Sequence, residues 1–233
     1  MMNYLYLLIN IFTISIPLIR SFEPKIHYYK NFKALFLGIL IAGTIFIIWD
    51  IFFTINGFWG FNSKYLTGIT VFHLPIEEWM FFITVPFASV FIYEVLNYFL
   101  GPDHSVKDKH PFGISLSLIL IAFGILNLDK WYTSITFLST GLYLFYLSYV
   151  LKEKWLSKFF RAYVVILIPF FIVNGILTGT AIEEQIVWYN NAENLGIRIF
   201  TIPIEDSIYG MLLILINVHV LEKFRNSPVD SKF

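Results

Sequence analysis

The stretch Leu74-Pro75-Ile76-Glu77-Glu78-Trp79-Met80-Phe81-Phe82 decides how this chain is read, because its core returns 128 residues later as Pro203-Ile204-Glu205-Asp206. Each copy sets two adjacent carboxylates at the head of a long apolar segment. One ionisable group at mid-bilayer costs roughly 2.5–3.5 kcal/mol on insertion scales. Two acidic pairs in one small membrane protein therefore point to a site where protons or cations are handled.

The surrounding composition makes the membrane setting explicit. Of 233 residues, 58% are hydrophobic and 14% charged, with a mean hydropathy of +0.72, the profile of an integral membrane protein. The net charge is zero, so the total is silent about acidic partners or nucleic acid, and no nucleic-acid partner is expected. Cysteine is absent, which removes disulfides, thiolate metal sites and cysteine nucleophiles. Residues 4–19 lack a basic leader and a small-residue cleavage site, so they read as a first span and not as a signal peptide.

A bilayer core takes about 20 helical residues. On that measure the spans lie near 4–20, 33–55, 73–99, 113–128, 131–150, 162–178 and 201–221. With the N-terminus outside, thirteen Lys and Arg fall in inner loops, Lys107, Lys109 and Lys232 among them, against Lys64, Lys130 and Arg198 outside. That bias requires an odd number of spans and puts the C-terminus in the cytoplasm, with both acidic motifs on the outer side.

At the motif's offset other positions fall into register: Gly68 with Gly196, Phe72 with Phe200, Val90 with Val218 and Glu94 with Glu222. The expected fold is an all-α integral membrane protein, two parallel three-helix repeats joined by a linker helix (3+1+3). The units are 1–100, 101–130 and 131–233. A parallel repeat places substrate between the halves. Chance similarity of apolar helices sharing a short motif is the alternative.

Pro75 and Pro203 suit the first turn of a helix, where a missing N–H is harmless. The acids that follow then sit where the helix dipole favours anions by about 0.3–1 kcal/mol. That structural explanation meets a difficulty. The apolar run from Val71 to Leu100 is about 45 Å long and leaves Glu77 about 13 Å from the midplane, inside the hydrocarbon edge. Adjacent helical residues diverge by about 100°, so one member of each pair faces the cavity while the other supports it. Asp50, after Trp49, is a further intramembrane acid, or a residue reaching the outer boundary. Glu94 and Glu222, with Lys107 and Lys223 in reach, read as boundary ion pairs. Asn174 lies inside the sixth span and needs hydrogen-bond partners, and the loop 178–198 is placed to cap the cavity. Arg198 is the outer arginine and a partner for Glu205 or Asp206. The five histidines are not at ligand spacing, so no metal is expected.

Absences narrow the classes. There is no G-x-G-x-x-G fingerprint, so no flavin or nicotinamide cofactor is predicted. Span seven holds no lysine for a retinal Schiff base, and the aspartate-rich motif of magnesium-dependent prenyl transfer is missing.

The Trp49-Asp50 element, the Leu74–Phe82 segment and Pro203–Asp206 resemble the lycopene cyclase domain family, membrane-embedded carotenoid cyclases found as paired three-span subunits or as fused chains. This chain looks like a bacterial fused form in the cytoplasmic membrane. The resemblance implies cyclisation of the linear ends of lycopene to β-ionone rings, through γ-carotene to β-carotene. It implies lycopene and membrane lipid as partners, with association with other carotenoid-pathway enzymes a further expectation. The chemistry is a non-redox isomerisation needing a protonated carboxylic acid, a proton acceptor and walls that tolerate a cation. Burial and a neighbouring carboxylate favour the neutral acid in general, and desolvated aromatic faces stabilise a cation by about 2 kcal/mol. The expectation is that Glu77 and Glu205 serve as acid and base, tuned by Glu78, Asp206 and Asp50. Phe72, Trp79, Phe81, Phe82, Asn174, Arg198 and Tyr209 are the candidate substrate contacts.

Two other readings stand beside this one. A cyclase of another ring type, or one acting on C50 carotenoids, shares all these features. A small proton-coupled transporter is also built as 3+1+3, but its polar residues should form a path to the inner face.

Overall fold

The computed structural model describes residues 2–101 and 110–225. Seven helices carry the fold: α1 (Leu5–Arg20), α2 (Phe32–Ile55), α3 (Ile76–Leu100), α4 (His110–Leu126), α5 (Trp131–Phe145), α6 (Leu156–Leu177) and α7 (Ile204–Phe224). Four segments, 28–55, 76–100, 156–177 and 204–224, are long and apolar enough to cross a membrane, and α1 and part of α4 are shorter apolar helices. A π-helical turn, Tyr146–Val150, continues α5 over the expected fifth span.

The expected third and seventh spans begin too early. Residues from 70 and from 198 instead form short hairpins, β2 (Thr70–Val71) with β3 (Leu74–Pro75) and β5 (Arg198–Ile199) with β6 (Ile202–Pro203). Pro75 and Pro203 are the last extended residues, and the helices start one residue later. Each proline keeps an extended ψ, 148° at Pro75 and 139° at Pro203, because it is paired in its hairpin, so it stands as the cap and the helix begins at the following isoleucine.

Positions 128 apart repeat in detail. Thr70 pairs Pro75 as Arg198 pairs Pro203, and the Ile76 and Ile204 amides donate to the Ile69 and Ile197 carbonyls. Phe72 and Phe200 take positive φ, 50° and 57°, at the two hairpin tips. The strands β1 (Trp59–Phe61) and β4 (Val187–Tyr189), themselves 128 apart, pair antiparallel with Gly60 opposite Trp188. Equivalent strands paired about equivalent residues place a local two-fold axis through that contact. The bonds from Asn62 N to Ile186 O and Asn190 N to Phe58 O, 2.8 Å each, obey it.

The packing follows the same relation. α1 lies on α3 as α5 lies on α7, while α2 crosses to α7 and α6 crosses to α3. At the α2–α7 crossing a Cβ on Gly38 would sit 3.2 Å from the Asn217 carbonyl oxygen, so glycine sets the helix separation there. The buried core runs through Tyr28, Phe87, Tyr93, Phe159 and Tyr163. α4 packs on α5 and on the turn that follows it.

Candidate active site

The site begins with the hairpins that deliver α3 and α7. Both motif pairs are buried at the helix starts, but the two members of each pair point differently. Glu77 Oε1 accepts the Thr67 amide at 2.7 Å, and Glu205 Oε1 accepts the Leu195 amide at 2.7 Å and the Thr133 hydroxyl at 2.7 Å. Each therefore clamps the loop ahead of its own helix. A buried amide left without a partner costs about 1–3 kcal/mol, which is what these two carboxylates prevent. Their Oε2 atoms are buried without a partner among the described residues, and neither residue lines the cavity described next.

One helical step further, about 100° around the axis, Glu78 and Asp206 face a cavity of about 380 Å³ between α1, α3, α6 and α7. Asp50 from α2 joins them. Tyr6 donates to Glu78 Oε2 at 2.5 Å. The Trp59 indole N–H donates to Asp50 Oδ1, with Thr54 at 3.4 Å. Asp206 is the most heavily held: Tyr132 donates to Oδ1, and Tyr189 and Asn174 donate to Oδ2 at 2.9 Å and 2.7 Å. Tyr189 lies in the loop strand β4, and burial, followed by the negative charge of Asp206, pushes its hydroxyl well above the ordinary tyrosine value.

The rest of the wall is apolar and aromatic apart from Thr13 and Ser89. Phe81 and Tyr209 line it, with Trp59, Tyr132 and Tyr189 around Tyr209 and each other. Among the described residues lining the cavity there is no Lys, Arg or His. Among the described residues no group of three His, Asp or Glu side chains is placed to hold a metal ion. Three carboxyl groups with aromatic donors, in a space without cations, can move a proton to and from an apolar molecule.

The sequence expectations sort as follows. Glu78, Asp206, Asp50, Asn174, Phe81 and Tyr209 converge on the cavity. Glu77 and Glu205, expected as acid and base, are turned away to hold backbone. Phe72 sits exposed at a hairpin tip, with Trp79 against it at 6.3 Å and donating to the Val71 carbonyl at 3.2 Å. Phe82 is buried in a neighbouring cluster with Phe46. Arg198 does not pair with a motif acid. It donates to the Thr201 carbonyl at 2.7 Å and to Asn191 Oδ1 at 2.8 Å, because its hairpin turns it to the outside of the loop. The partner of Glu94 and Glu222 is Arg225, at 3.3 Å and 2.8 Å, rather than Lys223. Lys107 lies outside the described residues, as do Lys109, His104, Lys232 and most of the expected linker ahead of α4.

The sequence did not single out Tyr6, Trp59 or Tyr132, and it reached Tyr189 only as part of the loop 178–198 placed to cap the cavity. Nothing in their own spacing marks them, since their partners lie 72, 9, 74 and 17 residues away. The one available signal is tyrosine within otherwise apolar segments, where a buried hydroxyl needs an acceptor.

The lycopene cyclase family matches residues 3–96 and 129–224, two stretches that hold α1 with α2 and most of α3, and α5 with α6 and α7. No curated protein and no solved structure matches the chain.

Proposed function

Because the chain belongs to the lycopene cyclase family, whose members are carotenoid cyclases, we propose that it is a lycopene β-cyclase. In this reading it converts the linear ends of lycopene to β-ionone rings without redox change. The observation that carries the reading is the convergence of Glu78, Asp206 and Asp50 on an apolar cavity free of cationic side chains among the described residues.

The chemistry divides among those three groups. A proton placed on the terminal double bond leaves a tertiary cation. The π electrons of a neighbouring double bond close a six-membered ring onto it, and the cation moves into the ring. Loss of a ring proton restores neutrality, so one proton is added and one removed. Glu78, which accepts one hydrogen bond from Tyr6, is the proton donor, with Asp50 beside it. Asp206, with donors on both oxygens, is arranged to hold negative charge, balance the cation and take the ring proton. Proton transfer of this kind contributes about 10²–10⁴-fold. The ring type follows from which proton Asp206 can reach, and the β ring requires loss at the ring junction. Tyr132, Tyr209 and Trp59 present faces that lower the cost of the cation.

The same reading places seven helices across the bacterial cytoplasmic membrane as two parallel three-helix units joined by α4. The N-terminus is outside and the C-terminus cytoplasmic. The asymmetry of Lys and Arg and the hairpins, strands and clamps repeated 128 residues apart support it. No soluble cofactor is required by the balance above.

The test is pigment analysis of a lycopene-accumulating bacterial host expressing this chain alone. Conversion of lycopene to β-carotene is the expected result. Unchanged lycopene, with the protein present in the membrane, would sink the proposal.

A further inference from the structure

The paired acids sit symmetrically, but the space leading away from them does not. Glu78 and Asp206 are 128 residues apart and exchange under the local two-fold axis. Beyond them the cavity runs between α1 and α6, while α2 and α5 contribute only Asp50 and Tyr132 to its described lining. Its outer wall there is Phe12 and Ile16 on α1 and Ile172 on α6, which are 71%, 62% and 61% exposed. Apolar residues that line a cavity and are also exposed mark a mouth, and among spanning helices that mouth opens to hydrocarbon. The backbones of α1 and α6 approach little, and the apolar cluster they share is built from Tyr6 and Ile9 at the head of α1 and Leu177 at the end of α6, away from Phe12 and Ile16.

The equivalent direction, between α5 and α2, is filled. At the offset of 128, Asn174 becomes Phe46, Gly210 becomes Phe82, Leu177 becomes Trp49 and Ala88 becomes Ile216. Phe46 and Phe82 are fully buried. The Phe46 ring lies 4.7 Å from Tyr209, itself a wall of the cavity, and 6.1 Å from Phe82. On the open side a Cβ at Gly210 would rest in ordinary contact with Phe170 at 3.4 Å, so a small side chain fits there and a large one would have to enter the channel.

Resting on the cyclase reading, we infer that the site takes one end of its long apolar substrate at a time, sideways from the bilayer between α1 and α6. The twin route is plugged by Phe46 and Phe82, so the two ends of one molecule are cyclised in separate binding events. The uncyclised half stays in lipid during each event, and the monocyclic carotene must leave and return reversed. The duplicated fold thus holds one catalytic chamber, with Gly210 and Ala88 setting its width.

The experiment uses the full chain in membrane vesicles, a pulse of labelled lycopene and a chase of excess unlabelled lycopene. Label stranded in the monocyclic carotene is expected. Label passing to bicyclic product undiluted by the chase would overturn the inference while leaving the cyclase reading intact. No consumption of lycopene by protein present in the vesicles would overturn the cyclase reading and this inference with it. Gly210→Phe should slow both cyclisations by about tenfold or more, since displacing the reacting atoms is enough. Ile216→Ala on the plugged side should leave both within about twofold. Equal effects of the two variants would also overturn the inference, and the chase on the unaltered protein decides the matter if Gly210→Phe does not fold.

Discussion

Gly60 and Trp188 face each other at the centre of the β1–β4 pair, and the indole occupies the space a side chain on residue 60 would need. A Cβ there would lie 2.4 Å from Trp188 Cζ2. This contact ties the two loops together at the cavity, because β1 carries Trp59 and β4 carries Tyr189, both of which line it.

Gly60→Ala should therefore loosen the roof of the site. Forcing one extra carbon into such a contact costs about 1–3 kcal/mol. The variant should unfold at lower temperature in detergent, and Trp188→Leu introduced with it should recover part of the loss. Equal melting of Gly60→Ala and the unaltered protein would refute the contact.

The two members of each acidic pair should separate cleanly on mutation. Glu78→Gln and Asp206→Asn remove groups facing the cavity and should lower cyclisation by about 10²-fold or more. Glu77→Gln and Glu205→Gln keep an oxygen that can accept the loop amides, so turnover should fall far less. Pigment ratios normalised to membrane protein give the comparison, and loss in the opposite pattern would return the chemistry to Glu77 and Glu205.

Tyr189 should remain a donor to Asp206 in alkaline solution. Its hydroxyl is pushed well above the usual 10.0 by burial, then by Asp206. A raised folded-state value means the contribution to stability is complete below the unfolded value and declines as pH rises above it. The near-ultraviolet tyrosinate signal of the folded protein, compared with a Tyr189→Phe variant, should show no Tyr189 ionisation around pH 10. A titration step there that Tyr189→Phe abolishes would contradict this.

At the opposite end, Arg225 bridges Glu94 at 3.3 Å and Glu222 at 2.8 Å. Asn31 and Tyr93 complete the cluster at 3.0 Å and 2.6 Å. Arg225→Ala leaves Glu94, fully buried, without its cation, a loss of about 3–5 kcal/mol. Thermal unfolding should show it, and Glu94→Gln added to Arg225→Ala should restore much of the stability. No rescue would mean that Arg225 acts through packing alone.

The sequence by itself determined the membrane class, the helices and the pairing of two acidic motifs. Those rest on composition, apolar run length and local repetition, all properties of neighbouring residues. It also placed Asp50 and Asn174 on the right helices. It assigned the chemistry to Glu77 and Glu205, whereas Glu78 and Asp206 are the members that face the cavity. That choice belongs to the Thr67 and Leu195 amides, which claim Glu77 and Glu205 and so rotate Glu78 and Asp206 to the cavity. The tyrosine and tryptophan donors were equally hidden, because an aromatic residue in an apolar segment declares its partner only once helices far apart in sequence are packed. Only the tertiary structure decided where the open space lies, since nothing in the sequence says that Gly210 borders the cavity while Phe82, at the equivalent position, is packed into a cluster with Phe46.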